Sequence, residues 1–357
     1  MSKVSVVIAS FNHEKYVREC IQSALDQTYQ DFEVLVTDDG SADGTVGVIK
    51  DLRDARIHLN VFAQNEGACR AANDCIRRAS GEYVALLNSD DAWEPTKLQE
   101  QVAFMDNHPD IGACFTRVAF VDESGMPIKA QDYRFSRVFD VQNRSRSAWL
   151  NHFFFKGNCL CHPSILIRRR CYDDIGLYDE RMASIPDLDA WVRLCLKYEI
   201  HILDKRLIRF RIREHEANAS GDLLPNHVRV AFEYKQMLNH YLRIRDSGFF
   251  LETFPQATRF GEVKEEYIPY FLSRLALQAG DNFRDLWGLE VLHGLLGSST
   301  TAAKLEENYG FRYRDLHRLA AERNVFGLPS GSDLQNLFRL LRKIPGAVLS
   351  RIRGSGN

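Results

Sequence analysis

Over residues 3–107, short β-branched runs alternate with segments whose apolar residues return at helical spacing. Residues 3–9 (KVSVVIA), 32–37 (FEVLVT), 57–62 and 83–87 read as buried strands. Between the first two, Tyr16, Val17, Cys20, Ile21, Ala24 and Leu25 mark a helix over 14–27. A short helix carrying Val46 and Ile49, a helix over 68–79, and one opened by Pro95 and ending near Asn107 complete the alternation. Strands that alternate with helices are joined by right-handed crossovers. The pattern therefore predicts an α/β fold with a mostly parallel central sheet flanked by helices.

After Pro109 the rhythm changes. Residues 111–121 read as a strand, 122–125 as a turn and 126–144 as irregular. A helix is expected over 149–155, a strand over 163–167, and a helix over 187–198 that buries Leu188, Trp191, Val192 and Cys195. Residues 206–213 alternate apolar residues with arginines and read as an edge strand, either solvated or with one face reaching a diphosphate. From Pro225 onward the pattern is helical. Two domains are expected: 1–220, α/β, and 221–357, mainly α-helical.

The chain has 357 residues, 45% of them hydrophobic, enough for a packed core. A net charge of -2 leaves no basic excess for nucleic acid. The eight cysteines are scattered through apolar segments and read as reduced core thiols of a cytoplasmic protein. Cys159-Leu160-Cys161-His162 lacks a second ligand pair at zinc-site spacing. No signal peptide or membrane span is expected.

Three acidic clusters stand at element boundaries. Asp38-Asp39 ends the second strand, Asp90-Asp91 ends the fourth, and Asp187 and Asp189 open a later helix. Ligands bind at the carboxyl ends of strands in α/β sheets. Adjacent buried acids are costly unless a cation or a donor network neutralises them. If the clusters converge, Mg²⁺ or Mn²⁺ is the natural resident. Taken singly, each cluster is equally a set of turn and helix-cap residues.

The ordered motifs resemble a family 2 glycosyltransferase with a GT-A fold, of the type that builds bacterial polysaccharides and lipid-linked glycans. They are residues 4–12 (VSVVIASFN), 24–29 (ALDQTY), Asp38-Asp39-Gly40-Ser41, Asn65-Glu66-Gly67, residues 87–91 (LNSDD), 176–180 (GLYDE) and 187–194 (DLDAWVRL). The resemblance implies an inverting transfer of a sugar from a nucleoside diphosphate, UDP foremost, to a glycan or lipid-linked hydroxyl. Asp39 would accept the N3–H of a uracil-type base. Ala9, Ser10 and Asn12 would flank the nucleoside, with Asn65, Gly67 and Ser89 also in the donor site. Asp90 would bind a Mn²⁺ or Mg²⁺ ion, completed by His215, and Asp187 would be the general base. Asp38, Asn88, Asp91, Asp189 and Arg213 are candidate supporting groups, and Trp93 and His162 a candidate acceptor pocket.

Three positions depart from the family's usual pattern: Asn88 for an aspartate, Pro186 for the glutamate before the base, and Ala72 for an arginine. They keep open a catalytically impaired nucleotide-sugar-binding or scaffold protein. A nucleotidyltransferase would need a glycine-rich basic phosphate loop, which Ser10-Phe11-Asn12-His13 does not offer. Residues 331–357 form a basic amphipathic pattern, to be read as a terminal helix docked on its own domain or as a peripheral contact with the inner membrane leaflet.

Overall fold

The computed structural model describes residues 2–129, 131, 133, 135–213 and 224–326. It divides into two compact units, Met1–Ile268 and Pro269–Asn357. The first carries β1 (Val4–Ser10), α1 (Val17–Leu25), β2 (Phe32–Asp38), α2 (Thr45–Lys50), β3 (Ile57–Val61), α3 (Ala68–Arg78), β4 (Tyr83–Leu86), β5 (Ala92–Trp93) and α4 (Lys97–Asn107). There follow β6 (Ile111–Val121), α5 (Arg146–Lys156), β7 (Leu166–Arg168), α6 (Arg169–Ile175), α7 (Pro186–Cys195), β8 (Glu199–Arg211), α8 (Leu224–Leu238) and α9 (Ser247–Thr253).

One eight-stranded sheet runs in the order β3-β2-β1-β4-β7-β6-β8-β5. The β1–β2, β1–β4, β2–β3 and β6–β8 pairings are parallel. The β4–β7, β6–β7 and β5–β8 pairings are antiparallel. The parallel half follows from the helical crossovers between its strands. Val4, Val6, Ile8, Val34 and Val36 pack with Val17, Ile21 and Ala24 of α1 into one core cluster. Each such aliphatic side chain, fully buried, contributes about 1.5–3 kcal/mol.

The expected edge strand at 206–213 is interior. β8 runs from Glu199 and lies between β6 and the two-residue β5, which pairs Ala92 with Arg209. The strand expected from Pro163 begins three residues later. His162–Ser164 form a 3-10 turn in which the Ser164 N–H and hydroxyl both donate to the Cys161 carbonyl. All eight cysteines are free and buried. Helices α8 and α9 lie beyond the boundary expected near residue 220 yet belong to the first unit.

The second unit holds α10, which opens at the boundary (Ile268–Ala276), α11 (Asn282–Leu296), α12 (Ser299–Tyr309) and α13 (Tyr313–Glu322). Asp281 caps α11 through the Arg284 N–H and Ser298 caps α12 through the Thr301 N–H. Among the described residues no helix is long and apolar enough to cross a membrane. The basic segment 331–357 and His215 lie outside the described residues.

Candidate active site

Strand register brings the first two acidic clusters together. Ser10 at the end of β1 stands opposite Asp38 at the end of β2, and Val7 stands opposite Leu86 near the end of β4. The loops after these strands therefore leave the same edge of the sheet. β7 runs antiparallel to β4, so the turn before it, with His162, returns to that edge. β8 ends there too, bringing Arg211 and Arg213 to Asp90 and Asp91.

Most acids of the β1–β2 rim are occupied by the chain itself. Asp38 accepts the Ser41 N–H at 2.8 Å and the Ser41 hydroxyl at 2.7 Å. Asp39 accepts the N–H groups of Glu66 and Gly67 at 2.7 and 2.9 Å, one on each oxygen. Each oxygen keeps a lone pair for a further donor. Gly40 makes this crossing possible. Its φ is +72°, and a Cβ there would lie 2.6 Å from the Gln64 carbonyl carbon. Asn12 acts as a staple, its side-chain oxygen accepting the Ala42 N–H at 2.9 Å. Ala9 sits within β1, and Asn65 is exposed on the loop that reaches Asp39. Ser10 is buried, and its hydroxyl has no partner among the described residues.

Asp90 and Asp91 have unequal surroundings. Asp91 accepts the Arg211 N–H at 2.8 Å and the Asn88 amide at 3.0 Å. Burial, reinforced by Asp90, pushes its carboxyl well above the usual carboxylate range. Asn88 is then tied into a relay. The Tyr178 hydroxyl donates to His162 Nε2 (3.1 Å), and His162 Nδ1–H donates to the Asn88 side-chain oxygen (3.3 Å). Burial lowers the His162 pKa to about 4, so the ring is neutral. His162 is thus a strut between β4 and the 176–180 loop. Trp93 is 1% exposed, with its indole N–H on the Pro163 carbonyl and the Lys97 ammonium 4.0 Å above its ring. It packs in the core.

The Asp90 carboxylate instead faces Arg213, with Nε 3.5 Å from Oδ2. The same guanidinium donates to His13 Nε2 at 2.7 Å, which leaves His13 Nδ1–H to donate to Ser89 Oγ at 2.7 Å. Burial holds His13 below the usual imidazole range; Asp90 pulls it up and Arg213 pushes it down. Among the described residues no group of three or more His, Cys, Asp or Glu side chains is arranged to hold a metal. A Mg²⁺ ion bound with substrate phosphates needs one or two protein carboxylates, and Asp90 offers one. The residues present fit such an ion on those terms.

Asp187 lies in the first turn of α7, whose N-cap is Ile185 and whose first residue is Pro186. It is not the cap. One oxygen accepts the Leu188 N–H and the other the Asn158 amide, each at 2.7 Å. Burial raises its pKa to about 6, and Glu233 pushes in the same direction. The buried Cys161 thiol, pushed up by burial, feels the charges of both Asp91 and Asp187. Asp189 serves the helix: it holds Arg193 Nε at 2.8 Å and His240 at 2.6 Å.

Sequence reasoning passed over His13, Asn158, Tyr178 and Glu233. His13 carried a usable signal, a titratable residue one position past a strand-end Asn. Glu233 carried another, an acid on a helix face otherwise built from Tyr234, Met237 and Leu238.

A strand-edge site with an acid, an arginine beside it and a half-buried carboxylate of raised pKa is a functional-site candidate on an α/β sheet. Residues 5–170 match the family described as Glycosyl transferase family 2. The chain is 31% identical over 217 residues to the uncharacterized glycosyltransferase MJ1057 of Methanocaldococcus jannaschii, covering 58% of this chain and 70% of that one. It is 38% identical over 106 residues to an Escherichia coli protein, the UDP-Glc:alpha-D-GlcNAc-diphosphoundecaprenol beta-1,3-glucosyltransferase WfaP, covering 30% of this chain and 42% of that one. Staphylococcus aureus TarS 1-349, solved with UDP-GlcNAc, has the same fold: TM-score 0.57, 22% identity, 86% of this chain and 89% of that one. The chain belongs to glycosyltransferase family 2 and has the GT-A fold.

Proposed function

We propose that the chain transfers a sugar from a nucleoside diphosphate donor, with UDP as the nucleotide, to a hydroxyl of a glycan or lipid-linked acceptor, with inversion. The observation that carries the reading is Asp187. A carboxylate with a pKa near 6 is ionised at neutral pH and still basic enough to take a hydroxyl proton. The acceptor oxygen then bonds to the anomeric carbon. The bond from that carbon to the diphosphate breaks in line on the opposite face, and the leaving oxygen keeps the electron pair. One displacement with one base inverts the centre.

Asp39 accepts from the base of the nucleotide, and the Ser10 hydroxyl, which has no partner among the described residues, meets the nucleoside. Arg213, oriented by His13 and Asp90, donates to the diphosphate. A Mn²⁺ or Mg²⁺ ion held by Asp90 would offset charge on the leaving group. UDP and a lipid-linked acceptor are supported by the substrates in the name of the E. coli relative. A cytoplasmic setting is supported by eight free, buried thiols. The test is a donor screen read by product mass, with Mn²⁺ and with chelator. Product from a UDP-sugar that chelator abolishes is expected. Product unaffected by chelator removes the metal, and no product from any nucleotide sugar removes the reading.

A further inference from the structure

We propose that Glu233 of α8 is a positioning residue for the base, holding the loop that presents Asp187 and placing a negative charge in its surroundings. This rests on the assignment of Asp187 as the base. Glu233 is 2% exposed. Its carboxylate accepts three consecutive backbone N–H groups: Ala183 at 2.8 Å, Ser184 at 2.8 Å and Ile185 at 2.9 Å. Such a run of N–H groups is an anion-holding concavity. It ends one residue before Pro186, which has no N–H, and two before Asp187. Ile185 caps α7 without a side-chain bond. The start of the helix is therefore oriented from outside, by α8.

The other end of this loop is pinned by α3. Asn73 bonds both the N–H and the carbonyl of Tyr178, and the Cys69 thiol donates to the Met182 carbonyl. Both anchors fix the backbone, but the one at Glu233 also carries charge. Asn158 bonds Asp187, and Cys69, Cys161, Tyr178 and Glu233 are in electrostatic reach of it. Burial pushes the two thiols and the phenol up, so they are neutral. Glu233 is the carboxylate of the set and favours the protonated form of Asp187. A neutral amide would keep one acceptor oxygen for these N–H groups and would leave the base weaker.

The experiment uses the full chain with Glu233→Gln, Glu233→Asp and Asp187→Asn. Sugar transfer is followed from about pH 5 to 8, with UDP binding by calorimetry. Glu233→Gln is expected to lower kcat roughly tenfold. It should also move the acid limb of kcat/KM to lower pH and leave UDP binding unchanged. Glu233→Asp keeps the charge, so kcat falls on an unmoved limb. A Glu233→Gln enzyme with the wild-type limb reduces Glu233 to a loop anchor and overturns the proposal. If Glu233→Gln does not fold, Glu233→Asp decides: lowered kcat on an unmoved limb supports the proposal, and wild-type kcat overturns it. Full activity in Asp187→Asn would instead overturn the assignment of the base.

Discussion

The rim at the ends of β1 and β2 and the loop before α7 solve the same problem in opposite ways. Both expose backbone N–H groups that need acceptors. At the first rim the local aspartates supply them: Asp38 takes Ser41, and Asp39 takes Glu66 and Gly67. Before α7 a distant acid, Glu233, takes all three N–H groups. Asp187 is then left with one amide and one N–H. The difference separates acids that hold loops from acids left for chemistry. Asp38 and Asp39 accept from loop N–H groups of the rim, and Asp39 keeps lone pairs for a further donor. What sets Asp187 apart is burial, not the number of its donors. Asp187 has its pKa raised to about 6 by burial, whereas Asp90 stands with Oδ2 3.5 Å from the Arg213 guanidinium, which it shares with His13.

The largest expected effect is at Asp187. Asp187→Asn should lower kcat about 10²–10⁴-fold while UDP binding stays near wild type. Stability should move the other way. The folded pKa is raised to about 6 from 3.8. The folded state therefore binds this proton more tightly than the unfolded chain, and ionisation costs stability as pH climbs from 3.8 through 6. From below about pH 4 to above that window the variant should gain about 1–3 kcal/mol on wild type, from a starting point lowered by its new amide meeting the Asn158 amide donor to donor. Thermal melts at both ends of the range check this. A variant that loses activity and gains nothing on wild type between pH 4 and pH 7 would make Asp187 another loop-holding acid and dissolve the contrast.

Asp90→Asn comes next, with transfer falling about 10²–10³-fold. Here donor binding should weaken with it, and the response of UDP binding to Mn²⁺ should vanish. That split from Asp187→Asn, read by calorimetry beside kinetics, sharpens the division between a donor end and an acceptor end. Unchanged Mn²⁺-dependent UDP binding would take Asp90 out of the donor site.

The parallel half of the sheet was legible in the sequence because one physical rule governs it: a β-branched run bounded by turns, followed by a helical period. The antiparallel half was less so. β5 has only two residues and no pattern of its own. β8 is interior because β5 covers it, a fact of tertiary pairing that the alternation of arginines at 206–213 cannot carry. Among the site residues, the acids at strand ends were visible as residue types, but not their partners. That Asp38 is spent on Ser41, or that Asn88 joins a relay from Tyr178 through His162, depends on loops meeting in space. Glu233 is the extreme case. It is separated from the loop it holds by 48 to 50 positions of chain, and only its place on an apolar helix face hints at a buried partner.

The smallest expected effect is at Asp91, the immediate neighbour of Asp90. The two would respond alike if they formed an acidic pair. Their surroundings say otherwise: Asp91 is fully enclosed, bonded to the Arg211 N–H and the Asn88 amide, and pushed well above the carboxylate range by burial and then by Asp90. In Asp91→Asn the side-chain oxygen keeps the Arg211 N–H, while the new amide meets the Asn88 amide donor to donor. That conflict costs about 1–3 kcal/mol. Against it stands relief from burying a carboxylate. A raised folded pKa means that ionisation of Asp91 costs stability as pH rises above 3.8, so the variant should gain on wild type with rising pH in melts. Transfer should stay within about threefold, since the Asp90 carboxylate and its Arg213 contact are untouched. A loss as deep as that of Asp90→Asn would show the two acids acting as a unit, and the division between loop-holding and reactive acids would fail at the strand end where they meet.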